Sequence, residues 1–165
     1  MQQFDTNPKQ DLLQAIRLLD EAVARDPQFV LAYCLLGQVH LDLYFTGYDH
    51  TPARRELANA AIQTAARLQP EAGSVHLELA RYAYNVFLDY DRARAELELA
   101  RSTLPNNAEI YLLSAALDRR QARWTESIRN WERAVELDPR NVQPAPERGL
   151  KLSRSASLRR GGPAV

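Results

Sequence analysis

The chain has 165 residues and a mass of 18.7 kDa, the length of one domain or of a short array of repeats. Apolar residues make up 45% of the sequence and charged residues 25%, which is ordinary globular composition and excludes wholesale disorder. The 21 basic and 21 acidic side chains cancel, and this balance argues against a dedicated nucleic-acid binder.

The sequence also bears on compartment. No apolar run is long enough to span a bilayer, and the N-terminal residues lack the basic start and apolar core of a signal peptide. Cys34 is the one cysteine, so it has no partner for an internal disulfide, which fits a reducing compartment. We therefore predict a cytoplasmic protein without a membrane partner.

Prolines punctuate the chain at a regular interval. Pro70, Pro105 and Pro139 are separated by 35 and 34 residues, and Pro27 lies 43 residues before Pro70. The residue five positions before each proline is an alanine: Ala22, Ala65, Ala100 and Ala134. The residue eight positions before is large and apolar (Leu19, Ile62, Leu97 and Trp131), and the residue twelve positions before is small (Ala15, Ala58, Ala93 and Ser127). These three offsets lie on one helix face, so each segment before a proline predicts a closely packed helix.

A second helical pattern precedes each of the last three of these predicted helices. Its members are spaced i, i+3, i+4 and i+7, which marks one face of a helix. The sets are Tyr33, Leu36, Gly37 and His40; Leu77, Ala80, Arg81 and Tyr84; Tyr111, Ser114, Ala115 and Asp118. Together the patterns predict no strand and helices at about 8–25, 28–44, 52–68, 72–88, 91–103, 107–121 and 124–137.

Three dipeptides predict helix starts, because each places an N-cap residue before a proline suited to the first helical position. They are Asn7-Pro8, Asp26-Pro27 and Thr51-Pro52.

With these patterns, residues 8–141 resemble the tetratricopeptide repeat, a helix–turn–helix unit of 34 residues. The last unit matches without a gap, the middle one has one extra residue near Gly73, and the first has about nine extra around YFTGYDHTP. The resemblance implies an all-α, right-handed superhelical solenoid of antiparallel helix pairs. It divides residues 1–143 into a half repeat at 8–27 and repeats at about 28–70, 72–105 and 106–139.

Residues 144–165 break the helical pattern. They carry five basic side chains and one acidic one, a net charge of +4, together with three of the nine prolines. We predict a basic, disordered tail.

The resemblance further implies that the first helix of each repeat lines a concave, peptide-binding surface. The predicted partner-binding residues are Gln38, Asp42, Glu78, Tyr82, Asn85, Leu112, Arg119 and Arg120. Further groove positions are Leu31, Cys34, Leu41, Val75, Val86, Glu109 and Ala116. Chaperone-binding arrays use basic residues to hold a carboxylate, but the matching positions here have none, which excludes that subtype. Those positions are Cys34, Gln38, Leu79, Glu109 and Leu113.

The predicted function is therefore a protein-interaction module with a protein or peptide ligand, and without catalysis, metal or cofactor. The sequence has no zinc-ligand spacing, nucleophile elbow or phosphate-binding glycine loop. His40 is predicted to pack between helices, and Cys34 to be a small, semi-buried apolar residue. The overall residue pattern also resembles that of arrays attached to bacterial adenylate cyclases, Ser/Thr kinases and winged-helix regulators. This resemblance implies that the chain is a regulatory fragment of a larger signalling protein.

Two alternatives remain open for the binding surface. The last helix has no following repeat to cover Ile128 and Val135, so the chain can be a self-assembly module that dimerises there. The aromatic insert of the first repeat can instead contact a partner at the edge of the array through Tyr44, Phe45, Tyr48 and His50.

Overall fold

A computed structural model describes residues 7–140 and 142, and over these residues it contains helices and no strand. The α-helices are α1 (Pro8–Arg25), α2 (Val30–Phe45), α3 (Pro52–Leu68), α4 (Gly73–Tyr82), α5 (Tyr90–Thr103), α6 (Ala108–Arg120) and α7 (Trp124–Leu137), with a π-helix at Ala83–Phe87 directly after α4. The predicted all-α class is confirmed. The predicted tail at 144–165 lies outside the described residues.

The starts of α1 and α3 follow the predicted capping. The side chain of Asn7 accepts a hydrogen bond from the amide of Gln10 at 3.3 Å, and that of Thr51 accepts one from the amide of Arg54 at 3.3 Å. In both helices a proline occupies the first turn, where its missing N–H costs nothing.

The predicted start of α2 at Asp26-Pro27 is wrong. Asp26 instead ends α1, because its amide donates to the carbonyl of Ala22 at 2.9 Å. Its side chain accepts from the amide of Gln28 at 2.9 Å and so closes a turn that contains Pro27. The helix then begins at Val30.

The chain divides into two compact units between Thr103 and Leu104. In the first unit α2 packs against α3 and α4 against α5, while α1 covers α2 and α4 contacts both α2 and α3. The alanines that lie five and twelve residues before Pro70 and Pro105 are fully buried in α3 and α5: Ala58, Ala65, Ala93 and Ala100. They allow the close helix contacts that the spacing predicts.

Gly37 marks the tightest of these contacts. A Cβ atom built on Gly37 would lie 2.5 Å from Cγ1 of Ile62, closer than two carbon atoms can pack. Helices α2 and α3 therefore approach each other at a position where α2 has no side chain.

The second unit is the antiparallel pair α6 and α7. Asp118 is charged, yet it lies on the packed face of α6 and is 1% exposed. Its carboxylate accepts a hydrogen bond from the side-chain amide of Asn130 at 2.8 Å and lies 3.5 Å from Nε of Arg123. Polar contacts thus join these two helices at Asp118.

Candidate functional site

The first helix of the first full repeat presents a row of side chains to solvent. Leu31 and Leu35 are exposed, and Gln38 and Asp42 are partly exposed. Their spacing of four, three and four residues places them on one face of α2. Two predicted partner-binding residues, Gln38 and Asp42, therefore lie beside exposed leucines.

The corresponding residues of the next repeat differ in accessibility. Tyr82 on α4 and Asn85 and Val86 in the π-helix are partly exposed. Glu78 is buried, and its carboxylate lies 3.2 Å from Nε of Arg81. Glu78 therefore has little surface with which to touch a partner directly.

Three predicted groove positions belong to the core instead. Cys34, Leu41 and Val75 are at most 3% exposed. Cys34 and Val75 pack together where α2, α3 and α4 meet, so the expectation that they line an open groove is wrong. Burial raises the pKa of the Cys34 thiol to about 11, which keeps it protonated and unreactive near neutral pH.

In the second unit the predicted residues lie along α6. Leu112 and Ala116 are partly exposed, and Glu109 is exposed in the first turn. Arg119 and Arg120 are exposed in the last turn of the helix.

Tyr82 is a fixed aromatic side chain in the first unit. It packs on the cluster of Leu41, Ala58 and Ile62. Its ring meets that of Phe87 edge to face, with 5.5 Å between the centroids. Partial burial raises the pKa of its hydroxyl, while the charges of Arg55 and Arg92 oppose that rise.

The insert after α2 is held closed by its own side chains. Tyr44 and His50 stack with ring centroids 4.0 Å apart, and His50 Nδ1 lies 2.9 Å from the Tyr44 carbonyl oxygen. Nε of Arg54 donates to the Asp49 carboxylate at 2.8 Å. Tyr44 and His50, two candidates for partner contact, are thus engaged within the insert.

The other two aromatic residues of the insert face solvent. Phe45 is 56% exposed and Tyr48 is 40% exposed. The alternative edge surface is therefore reduced to this pair.

Sequence reasoning missed two exposed apolar residues at the end of the next first helix. Phe87 and Leu88 are each more than half exposed. Their exposure could have been predicted, because both residues lie outside the buried i, i+3, i+4, i+7 set of that helix. The helical pattern instead placed them in the last turn of the predicted helix without indicating whether they face solvent.

Metal-binding and membrane-spanning features are absent from the part of the chain that the structure describes. Within 7–140 and 142 no group of three or more His, Cys, Asp or Glu side chains lies close enough to hold a metal ion. None of the helices described above is both long and apolar enough to cross a membrane.

His40 is buried between helices, as predicted.

The architecture resembles solved repeat proteins. A thermophilic TPR protein of Thermus thermophilus superimposes with a TM-score of 0.61 and 23% identity, covering 87% of this chain and 71% of that one. MamA superimposes with a TM-score of 0.52 and 17% identity, covering 80% and 71%. The chain has the tetratricopeptide-repeat fold. At these identities the likeness concerns the fold alone.

One curated protein is similar in sequence to part of this chain. The mitochondrial import receptor subunit TOM20-4 of Arabidopsis thaliana is 40% identical over 74 residues, which are 44% of this chain and 40% of that protein. The chain thus spans about two fifths of the length of this relative. No protein-family model matches the sequence.

Proposed function

We propose that this chain is a protein-interaction module that binds a protein or peptide through the first helices of its repeats. The observation that supports it best is the accessible row on α2, where Leu31 and Leu35 adjoin Gln38 and Asp42. Apolar side chains beside hydrogen-bonding groups suit an extended or helical peptide. The similarity to a protein named as an import receptor subunit agrees with a binding role over the matched segment.

The proposed contacts are, in the first unit, Gln38, Asp42, Tyr82 and Asn85, and in the second, Leu112, Arg119 and Arg120. Glu78 takes part through Arg81, which its buried carboxylate holds. We propose binding rather than catalysis because the thiol of Cys34 is buried and protonated and the imidazole of His40 is buried. The partner class is protein, not nucleic acid or membrane, in keeping with the balanced charge.

We further propose that the module acts in the cytoplasm as the regulatory part of a larger bacterial signalling protein. The support is the resemblance of the sequence, described above, to arrays attached to such signalling proteins.

The test of the binding surface is capture from a native lysate with the variant Gln38→Arg combined with Arg119→Glu. Both side chains are at least partly exposed, so the variant should keep its melting temperature within a few degrees and lose the captured partner. The matched control makes the same two substitutions at exposed residues of α3 and α7, Gln63→Arg with Arg129→Glu, and should capture normally. Undiminished capture by the first variant would contradict the proposed surface.

A second candidate function is homodimerisation through α7. Trp124, Ile128, Trp131 and Val135 are partly exposed and share one face of that helix. A second copy is one partner that such a face can accept.

A further inference from the structure

The π-helix ends in two apolar side chains that face solvent. Phe87 is 58% exposed and Leu88 is 57% exposed, the two highest values among the large hydrophobic residues that the structure describes. Neither side chain gains the burial that normally stabilises a large apolar residue. A π-helical turn is itself uncommon and frequently occurs at functional sites.

Leu88 also has a backbone conformation that leucine rarely adopts. Its φ and ψ are 55° and 27°, in the left-handed region. The carboxylate of the next residue, Asp89, accepts a hydrogen bond from the amide of Arg92 at 3.1 Å and caps the start of α5. The short connection between the π-helix and α5 needs a residue in the left-handed conformation. Glycine is usual there, because a residue with a Cβ atom loses about 1 kcal/mol or more in that conformation. The left-handed conformation and the exposed apolar side chain are thus two separate costs of leucine at this point.

Phe87 stands on a rigid support. Its ring lies edge-on to Tyr82 at 5.5 Å, and Tyr82 packs in turn on the buried cluster of Leu41, Ala58 and Ile62. An aromatic surface that is already fixed loses little side-chain entropy when a partner covers it.

Two arginines lie close to this apolar surface in the fold. Arg55 is one turn before Ala58 on α3, the helix on which Tyr82 packs, and Arg92 is in the first turn of α5, four residues after Leu88. Glu56, next to Arg55, is the nearby carboxylate. Among residues 7–140 and 142, neither guanidinium forms an ion pair or a side-chain hydrogen bond. Asp49 is bound to Arg54, and the carboxylate of Asp89 caps α5.

The set Tyr82, Phe87, Leu88, Arg55 and Arg92, here named the helix-end patch, thus joins fixed apolar surface to arginines without a carboxylate partner. We infer that the helix-end patch is a docking surface for a peptide segment that carries an aromatic or leucine side chain next to a carboxylate. The apolar side chain packs on Phe87 and Leu88, and the carboxylate pairs with Arg92 or Arg55. The inference rests on the proposed peptide-binding function, but it locates a contact at helix ends of the first unit.

The first test is an NMR titration of the full chain with a short peptide, acetylated and amidated, that carries Phe and Leu between glutamates. We expect shifts in the side-chain resonances of Phe87 and Arg92. A counterpart peptide with glutamine in place of glutamate should bind about tenfold more weakly, because a charge-assisted hydrogen bond is lost. Absence of shifts, or equal binding of the two peptides, would overturn the inference.

The second test uses the strained residue. Leu88→Gly removes the apolar side chain and the left-handed strain together, so the melting temperature should hold or rise while peptide affinity falls severalfold. Ala122→Gly is the matched control, since Ala122 in the second unit also has a positive φ, 57°. It should likewise hold or raise the melting temperature and leave peptide affinity unchanged. Wild-type affinity in Leu88→Gly would refute the patch.

The variant Gln38→Arg with Arg119→Glu separates this inference from the proposed function. It should bind the acidic peptide normally, because its substitutions lie outside the helix-end patch. If the peptide fails to bind any variant while capture still depends on Gln38 and Arg119, the inference is wrong and the proposed function stands. If the peptide binds but the Gln38→Arg, Arg119→Glu variant captures the partner as the wild type does, the proposed first-helix binding surface is wrong instead.

Discussion

His40 shows how one buried side chain couples folding to solution conditions. It is 6% exposed, and Nη1 of Arg54 donates to its Nδ1 at 3.0 Å, so that nitrogen must keep its lone pair. Burial, and then the charge of Arg54, lower the pKa of His40 below its ordinary value of 6.5, while Asp20 and Asp49 act in the opposite direction. The folded protein therefore favours the neutral imidazole.

The expected result is a stability that decreases in mild acid. Because the pKa is lower in the folded state than in the unfolded one, the contribution of His40 is complete above about pH 6.5 and is lost progressively as the pH falls toward the folded value. One proton limits the slope to about 1.4 kcal/mol per pH unit. Urea unfolding at a series of pH values between neutral and mildly acidic measures it.

His40→Gln provides the control for this titration. Glutamine can still accept a hydrogen bond from Arg54 but does not ionise, so the loss of stability near pH 6 should shrink in the variant. An identical pH profile for the two proteins would assign the loss to other groups. Asp49 acts at lower pH, because the Thr51 hydroxyl and then Arg54 hold the pKa of its carboxyl below the ordinary value.

Single positions were predictable from sequence where steric demand is absolute. Gly37 and Ala58 follow from the spacing because two backbones approach there, and a larger residue has no room. The accessibility of Cys34, Leu41 and Val75 was not predictable in the same way. Whether a residue on a first helix faces solvent depends on how α2, α3 and α4 meet, and no pattern within one helix contains that information.

At the level of helices, a capping side chain and a first-turn proline made the bounds of α1 and α3 predictable. Helix α7 also matches its predicted range, although its start has neither. The start of α2 was mispredicted because Asp26 can cap a helix or close a turn, and the turn prevails. The π-helix after α4 was invisible, since its wider hydrogen bonding has no distinctive residue spacing.

The burial of Ala100 gives an expected outcome at this level. Ala100 is fully buried on α5, so Ala100→Arg should force a long charged side chain into the core and destabilise the fold by several kcal/mol. Thermal and urea unfolding measure the change.

The same helix supplies the matched comparison. Ala95 on α5 is exposed, so Ala95→Arg should unfold much like the wild type. If Ala100→Arg also melted like the wild type, the close approach of the helices at Ala100 would be misassigned.

For the chain as a whole, the open question is whether the partly exposed face of α7 joins two copies. A stable dimer commonly buries about 800 Å² on each partner, and four partly buried side chains offer less than that. We therefore expect a monomer whose mass by light scattering does not change across a dilution series.

A mass that rises toward twice 18.7 kDa with concentration would favour the self-assembly alternative. In that event Ile128→Glu with Val135→Glu should restore the monomer, because charges on this face oppose its burial.

The closed insert after α2 has a consequence for how such chains change over time. Because Arg54 binds Asp49 and His50 stacks on Tyr44, the two ends of the insert are joined to each other without help from another repeat. The close contact of α2 with α3 at Gly37 and Ile62 does not involve the insert. Because lengthening a loop adds little closure entropy, we expect extra residues in the insert to leave this helix pair in place and to add surface at its edge.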